Sequence, residues 1–142
     1  MHKGIVPCIS SHLVKVLAAM GHDAEIVMAD AHFPGHAFKD RFLHADGVNI
    51  PTLPASILSI FELDQYVTPL AMIAAVPSDK LDPKVEASCL KVIRKYAPTA
   101  NFHERVKRFT FYERAKKAFA AGINVETAKY DNIILKKGVT PV

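Results

Sequence analysis

Apolar positions change their period several times along the chain, and each change marks an element. Leu13, Val16, Leu17 and Met20 recur at i, i+3, i+4 and i+7, the stripe of an amphipathic helix. A serine of the Ser10-Ser11 pair opens the helix as N-cap, and Gly21 behind the stripe is expected to take the left-handed C′ position that ends a helix. Residues 25–29 (EIVMA) read as a short buried strand, and Asp30 opens the loop that leaves it. Residues 44–50 contain an Asp46-Gly47 turn signal. The stretch 51–63 reads as a second helix, with Thr52 as cap and Pro54 in a first turn that tolerates proline. LAMIAAV, residues 70–76, is the continuous apolar run of a strand covered on both faces. Asp82-Pro83 starts a third helix that runs to Tyr96, ahead of Pro98. Residues 101–107 read as a short strand, and 109–120 as a helix with Tyr112, Ala115 and Phe119 on one face. The surroundings of 123–125 read as a further strand, and 132–138 as a closing strand and turn.

Strands thus alternate with helices, which predicts an α/β fold with a mainly parallel sheet and helices on both faces. There is no repeat, linker or low-complexity tract, so the expectation is one domain over residues 1–142. In such sheets ligands bind at the carboxyl ends of strands, and Asp30 stands at one of them.

Composition narrows the classes. Half the residues (50%) are hydrophobic, the upper end of ordinary usage, which excludes disorder and leaves apolar surface for partner subunits. The net charge is a mild +4. Its densest patch, Arg105, Lys107, Arg108, Arg114, Lys116 and Lys117, is interrupted by Glu104 and Glu113 and reads as a solvated helix face, so no nucleic acid is expected as partner. Cys8 and Cys89 have no metal or redox spacing, the opening His2-Lys3-Gly4 is not a signal peptide, and no apolar run approaches the ~20 residues of a membrane span. A cytoplasmic protein with reduced thiols and no membrane contact is the expectation.

The chemistry concentrates in residues 20–36, which hold His22, Asp30, His32 and His36. His22 is either a cation placed to favour a helix C-terminus or a general acid or base titrating near neutrality. Asp30 either accepts hydrogen bonds from loop amides or grips a substrate hydroxyl. Asp30, His32 and His36 together form a plausible carboxylate–imidazole metal set, although Pro34-Gly35 turns the chain between the histidines. Tyr112 reads as core or as site, Arg108 as a surface charge or a ligand. Asp64-Gln65-Tyr66 and Tyr130-Asp131-Asn132 read as connections with Asx residues suited to turns. A Gly-rich phosphate loop, G-x-S-x-G and C-x-x-C are all missing from the sequence, so phosphoryl transfer and serine hydrolysis have no support.

Several segments taken together resemble the RbsD/FucU family of sugar mutarotases, and its L-fucose mutarotase branch in particular. They are residues 12–22 closing Met20-Gly21-His22, Asp30-Ala31-His32-Phe33-Pro34, residues 41–47 closing Ala45-Asp46-Gly47, Phe61-Glu62-Leu63-Asp64 and Leu81-Asp82-Pro83. Arg108-Phe109-Thr110-Phe111-Tyr112-Glu113-Arg114-Ala115 follows, then Ala128-Lys129-Tyr130 through to Lys136-Lys137-Gly138-Val139-Thr140-Pro141. They cover nearly the whole chain in the family's order. The resemblance implies a three-layer α/β/α sandwich assembled into a homo-oligomeric ring, a decamer of stacked pentamers, with a site completed across a subunit boundary and with no cofactor and no metal. It makes His22 the proton donor and Asp30 a ligand of sugar hydroxyls. Arg108 matches the position where fucose-type members carry Arg and ribose-type members carry His. Tyr130, Asp131 and Asn132 match the Tyr-x-Asn segment that holds the sugar, and Asp64 and Tyr112 follow from the fucose branch. The chain departs from the family in reading Tyr130-Asp131-Asn132 for Tyr-Gly-Asn, where glycine accommodates a positive φ more readily than aspartate. It also reads Asn124-Val125-Glu126 for Thr-Gly-Glu.

The implied activity is that of an isomerase interconverting the α and β anomers of a free monosaccharide, L-fucose, by acid–base opening and closing of the ring. The alternatives are a D-ribose pyranase-type exchange of pyranose and furanose, a non-catalytic sugar-binding partner of an uptake system, and a metal-dependent enzyme at Asp30, His32 and His36.

Overall fold

In the computed structural model, residues 3–33, 42–44, 52–66, 68–74, 79, 83–98, 103–123 and 132–141 are described. The chain opens with α1 (Ser11–Ala19), capped as expected by the Ser10 side chain, which accepts from the Leu13 N–H at 3.1 Å. Leu13 and Leu17 are its buried face. Gly21 does not take the left-handed conformation. Met20 is already extended, and the positive φ of +69° falls on Asp23, whose N–H is held by the Lys137 carbonyl at 3.0 Å. Pairing with the last strand, rather than the glycine, sets the turn into β1 (Glu25–Ala29).

The remaining elements are β2 (Phe42–His44), α2 (Thr52–Leu58), β3 (Leu70–Ile73), α3 (Pro83–Tyr96), β4 (His103–Val106), α4 (Arg108–Lys116), β5 (Ala120–Ile123) and β6 (Ile133–Lys136). Compared with the sequence reading, β2 is new and α2 is shorter. The fourth helix ends at Lys116, so Phe111 and Ala115 form its buried face and Phe119 lies in the turn beyond it. The fifth strand begins three residues earlier than its apolar signal indicated.

Among the described residues the six strands are ordered β2-β5-β1-β6-β3-β4. β1, β2 and β5 run parallel, as do β3 and β4, and β6 lies antiparallel between β1 and β3. The parallel expectation therefore holds on each side of one reversed central strand. Alternation along the strands sorts residues to two faces. Ile26, Met28, Leu70, Met72, Ile133 and Leu135 pack with α1, α2 and α3. Val27, Ala29, Ala71, Ile73, Ala121 and Ile134 pack with Phe111 and Ala115 of α4. This is the expected α/β/α sandwich, with, among the described residues, α1, α2 and α3 on one side and the nine-residue α4 on the other. Among the described residues no helix is long and apolar enough to cross a membrane.

The basic patch is not a uniform helix face. Arg105 belongs to β4 and pairs with Glu86 of α3, and Arg114 pairs with Glu25 of β1 at 3.1 Å. Lys116 makes a solvent-exposed pair with Glu113.

Candidate functional site

β1, β3 and β4 end on the same edge of the sheet, and β6 begins there. A cavity of about 290 Å³ opens at that edge. Asp30, the first residue past β1, contributes a carboxylate that is 3% exposed. Its Oδ1 accepts from the His32 backbone N–H at 2.8 Å, so the loop-amide role read from the sequence is real. The same carboxylate also faces the cavity. Asn132, just before β6, doubles the grip: its Oδ1 accepts from the Asp30 N–H at 3.1 Å, and its Nδ2 donates to Asp30 Oδ2 at 3.4 Å. Two residues 102 positions apart are thereby fixed as one polar wall.

The opposite wall comes from α4. Arg108 is its first residue, and the first turn carries no acidic side chain. A cation there opposes the helix dipole, so local helix stability does not explain Arg108. Its guanidinium lies 4.8 Å from the exposed Phe109 ring and lines the cavity. Tyr112, one turn on, lines it too and meets Phe33 edge-on at 5.7 Å. Phe33 and Ile73 supply apolar surface, and His32 and Asp79 complete the lining. A compact ligand with several hydroxyls and an apolar edge fits this combination of carboxylate, carboxamide, guanidinium and aromatic groups.

His22 is elsewhere. It precedes β1, and the strand carries Asp30 roughly 16 Å away at ~3.3 Å per residue. Its Nε2 lies 3.4 Å from Oδ2 of Asp64 and 3.8 Å from Oδ1 of Asp23. Asp64 is 1% exposed and receives the Tyr66 N–H on Oδ1 at 2.7 Å. The Asp64 backbone is pinned to β6 through the Lys136 carbonyl at 3.1 Å. The helix-end cation reading of His22 does not hold, because Lys137 takes that role, donating from Nζ to the Met20 carbonyl at 2.6 Å. His22 is instead a half-exposed imidazole beside a buried carboxylate, with the exposed Tyr66 ring edge-on at 6.3 Å.

The structure therefore brings Asp30, Asn132, Arg108 and Tyr112 together and sets His22 with Asp64 at the other end of the sheet. Tyr130, Asp131 and His36 lie outside the described residues. Among the described residues, the side chains that could hold a metal are His22, Asp23 and Asp64, whose ligand atoms lie within 4.8 Å of one another, rather than Asp30 and His32. Lys136 Nζ, 3.9 Å from Asp23 Oδ1, disfavours a cation there.

Sequence reasoning missed Ile73, Phe33 and Gly138. Ile73 had a signal, as the last residue of a buried strand on a binding edge. Phe33 reads as loop or core in any one-dimensional pattern. Gly138 donates its N–H to the Glu62 carbonyl at 2.8 Å, and a Cβ on it would collide with the Leu63 carbonyl group and stand 2.8 Å from Asp64 Cα. Only glycine lets the chain pass this close to the segment that carries Asp64.

Known proteins resemble this chain over nearly their whole length. The chain is 54% identical to an L-fucose mutarotase of Actinobacillus pleuropneumoniae serotype 5b (strain L20), over 100% of this chain and 99% of that one. It is 55% identical to an L-fucose mutarotase of Glaesserella parasuis serovar 5 (strain SH0165), over 100% and 98%. The crystal structure of the fucose mutarotase from Streptococcus pneumoniae in complex with L-fucose matches with a TM-score of 0.88 and 40% identity, over 99% of this chain and 100% of that one. The model of the RbsD / FucU transport protein family matches residues 3–140. With that match and with relatives 54% and 55% identical along the chain, this chain belongs to the RbsD / FucU transport protein family.

Proposed function

We propose that the protein is an isomerase that interconverts the α and β anomers of L-fucose. The observation that carries the reading is the closed polar wall of Asp30 and Asn132 facing Arg108 and Tyr112. Full-length relatives described as L-fucose mutarotases, one of them with L-fucose bound, support the choice of sugar. Asp30 and Asn132 accept and donate to ring hydroxyls, Arg108 donates to others, and Phe33 and Ile73 offer an apolar surface for the methyl group of a 6-deoxy sugar. Tyr130 and Asp131, next to Asn132 in the sequence, are taken as further sugar ligands from the family's Tyr-x-Asn segment.

The reaction needs one proton delivered to the ring oxygen and one removed from the anomeric hydroxyl. The bond from the anomeric carbon to the ring oxygen then breaks, its electron pair going to the oxygen while the carbonyl forms. Rotation about the adjacent carbon–carbon bond and reclosure give the other anomer. In our reading His22 delivers the proton and recovers it at closure, with Asp64 orienting the imidazole. His22 is too far along β1 to reach the sugar held by Asp30 of its own chain, so a second copy supplies it. Tyr66, 83% exposed beside His22, and Phe109, 71% exposed beside Arg108, are aromatic surfaces suited to such a contact. We take the assembly to be a decamer of stacked pentamers of one-domain subunits spanning residues 1–142. Cys8 and Cys89, neither of them in a disulfide, suit the reducing cytoplasm.

Saturation-transfer NMR on fucose, ribose, galactose and rhamnose tests the activity, with the fastest anomeric exchange expected for L-fucose; absence of acceleration for every sugar overturns it. Mixing tests the shared site. His22→Ala and Asp30→Asn chains, each inactive alone, are expected to regain exchange when co-assembled. Verified mixed assemblies that stay inactive would place both groups in one chain's site.

A further inference from the structure

The cavity rests on a relay that begins outside it. Arg105 lies on edge strand β4 and is only partly exposed, at 23%. Its Nη1 donates to the Ile73 carbonyl at 2.8 Å, and its Nη2 lies 2.5 Å from Oε2 of Glu86 in the first turn of α3. Ile73 in turn donates its N–H to the Asn132 carbonyl at 3.2 Å. Asn132 holds both the backbone and the carboxylate of Asp30. Glu86, Arg105, Ile73, Asn132 and Asp30 thus form one continuous chain of polar contacts, running from a helix on the far side of the sheet to the cavity. The last three of these residues line it.

We infer that Arg105, locked by Glu86, is a positioning residue that fixes the Asn132–Asp30 wall through the Ile73 peptide, and so sets sugar affinity without touching sugar. The inference rests on the reading of this cavity as the sugar site. Charge-assisted bonds are the strong class of hydrogen bond, and a guanidinium that serves two acceptors in fixed directions has no equivalent in lysine. The carbonyl it holds belongs to the peptide next to a binding residue, so a small shift there moves Asn132 and Asp30 together. His22 stands at the other end of β1 and is not in the relay. Loss of Arg105 must therefore weaken sugar binding more than it slows proton transfer.

The test compares Arg105→Met, Arg105→Lys, Glu86→Gln, Asn132→Ala and the Arg105→Met/Asn132→Ala double variant, all in the assembled protein. Arg105→Met is expected to raise KM for L-fucose roughly three- to tenfold with kcat within about twofold, and Glu86→Gln and Arg105→Lys to fall between it and the parent. In the double variant the KM effect is expected to be no larger than that of Asn132→Ala alone, because both act on one wall. Backbone hydrogen exchange supplies a readout that needs no sugar: the Ile73 and Asp30 amides are expected to exchange about tenfold faster in Arg105→Met while those of β1 keep their protection. An unchanged KM and unchanged Asp30 protection with only a lowered Tm would make Arg105 purely structural and overturn the inference, as would multiplicative KM effects in the double variant. If the parent protein accelerates no sugar, the proposed activity falls, and the amide readout still decides the relay.

Discussion

At the carboxyl end of β1, polar groups from the ends of β1 and β6 and from α4 line a cavity, and two of them are held from behind by the fold: Asp30 by Asn132 and the His32 amide, Asn132 by Ile73. At the amino end, a half-exposed imidazole leans on a single buried carboxylate at the surface. The first region has the properties of a binding site, with preformed walls, several donors and acceptors and an apolar floor. The second has those of a proton-transfer group, one titratable side chain with an orienting partner and access to whatever docks there. Under the proposed function, binding and chemistry are separated by the length of one strand, and two copies of the chain would have to meet to reunite them. The difference teaches that the two ends are built for different work, so substitutions at them should fail in different ways.

The largest effect is expected from His22→Ala. Loss of the proton-transferring group should lower anomeric exchange by roughly 10²–10⁴-fold, with L-fucose still binding in a saturation-transfer difference experiment and Tm within a degree or two of the parent. Unchanged exchange would remove His22 from the chemistry and leave the amino end without a role. Next comes Asp64→Ala, which frees the imidazole to rotate. A misplaced catalytic group costs on the order of 10²-fold, and the loss should again fall on kcat, not KM. A loss confined to KM would instead make Asp64 a sugar ligand, which is the role its position in the family motif implied.

How far this division was legible in the sequence depends on which residues carry it. Asp30, Arg108 and Asn132 are polar and sit at element ends, and Tyr112 is an aromatic one turn into α4, so all four stand out in the sequence; the fold draws them into one cavity. Ile73 and Gly138 act through their backbones, and a backbone contact between residues as far apart in sequence as Ile73 and Asn132 or Gly138 and Glu62 leaves no local trace. The helical stripe and cap of α1 read correctly because they are local interactions. The positive φ at Asp23 did not, because the Lys137 carbonyl fixes it from the opposite end of the chain. β2 escaped because three residues on an edge give too few alternations to register. The reversed direction of β6 was invisible for another reason: alternating strands and helices indicate order along the chain, and only pairing fixes direction. The basic run from Arg105 to Lys117 misled because charge clustering in sequence says nothing of partners. Arg105 and Arg114 are each paired with a glutamate on a different element.

Gly138→Ala probes whether the amino end depends on the close approach of two backbones. A Cβ there meets the Leu63 carbonyl, and relief requires the segment bearing Asp64 to shift. Overpacking of this kind costs about 1–3 kcal/mol, measured as a lowered midpoint in urea, and it should lower kcat while sugar affinity at the distant cavity is kept. Equal loss of affinity would mean that the two ends are mechanically linked through β6, and the separation drawn between them would have to be abandoned.

The smallest effect is expected from Ser10→Ala, which sharpens the comparison by acting on neither end directly. Ser10 caps α1 by accepting the Leu13 N–H, and loss of such a cap costs about 1 kcal/mol. α1 leads into the turn that carries His22, so the substitution asks whether the helix or Asp64 sets the imidazole. Met20 is held at the helix end by its own N–H to Val16 and Leu17 and by Lys137 on its carbonyl, and the turn is fixed to β6 at Asp23 and Lys137. A frayed first turn of α1 is therefore two turns removed from those anchors. Stability measured by denaturant unfolding should fall by about that amount with kcat and KM for L-fucose both unchanged. A lowered kcat would show that α1 itself positions His22, and that Asp64 shares that role with the helix.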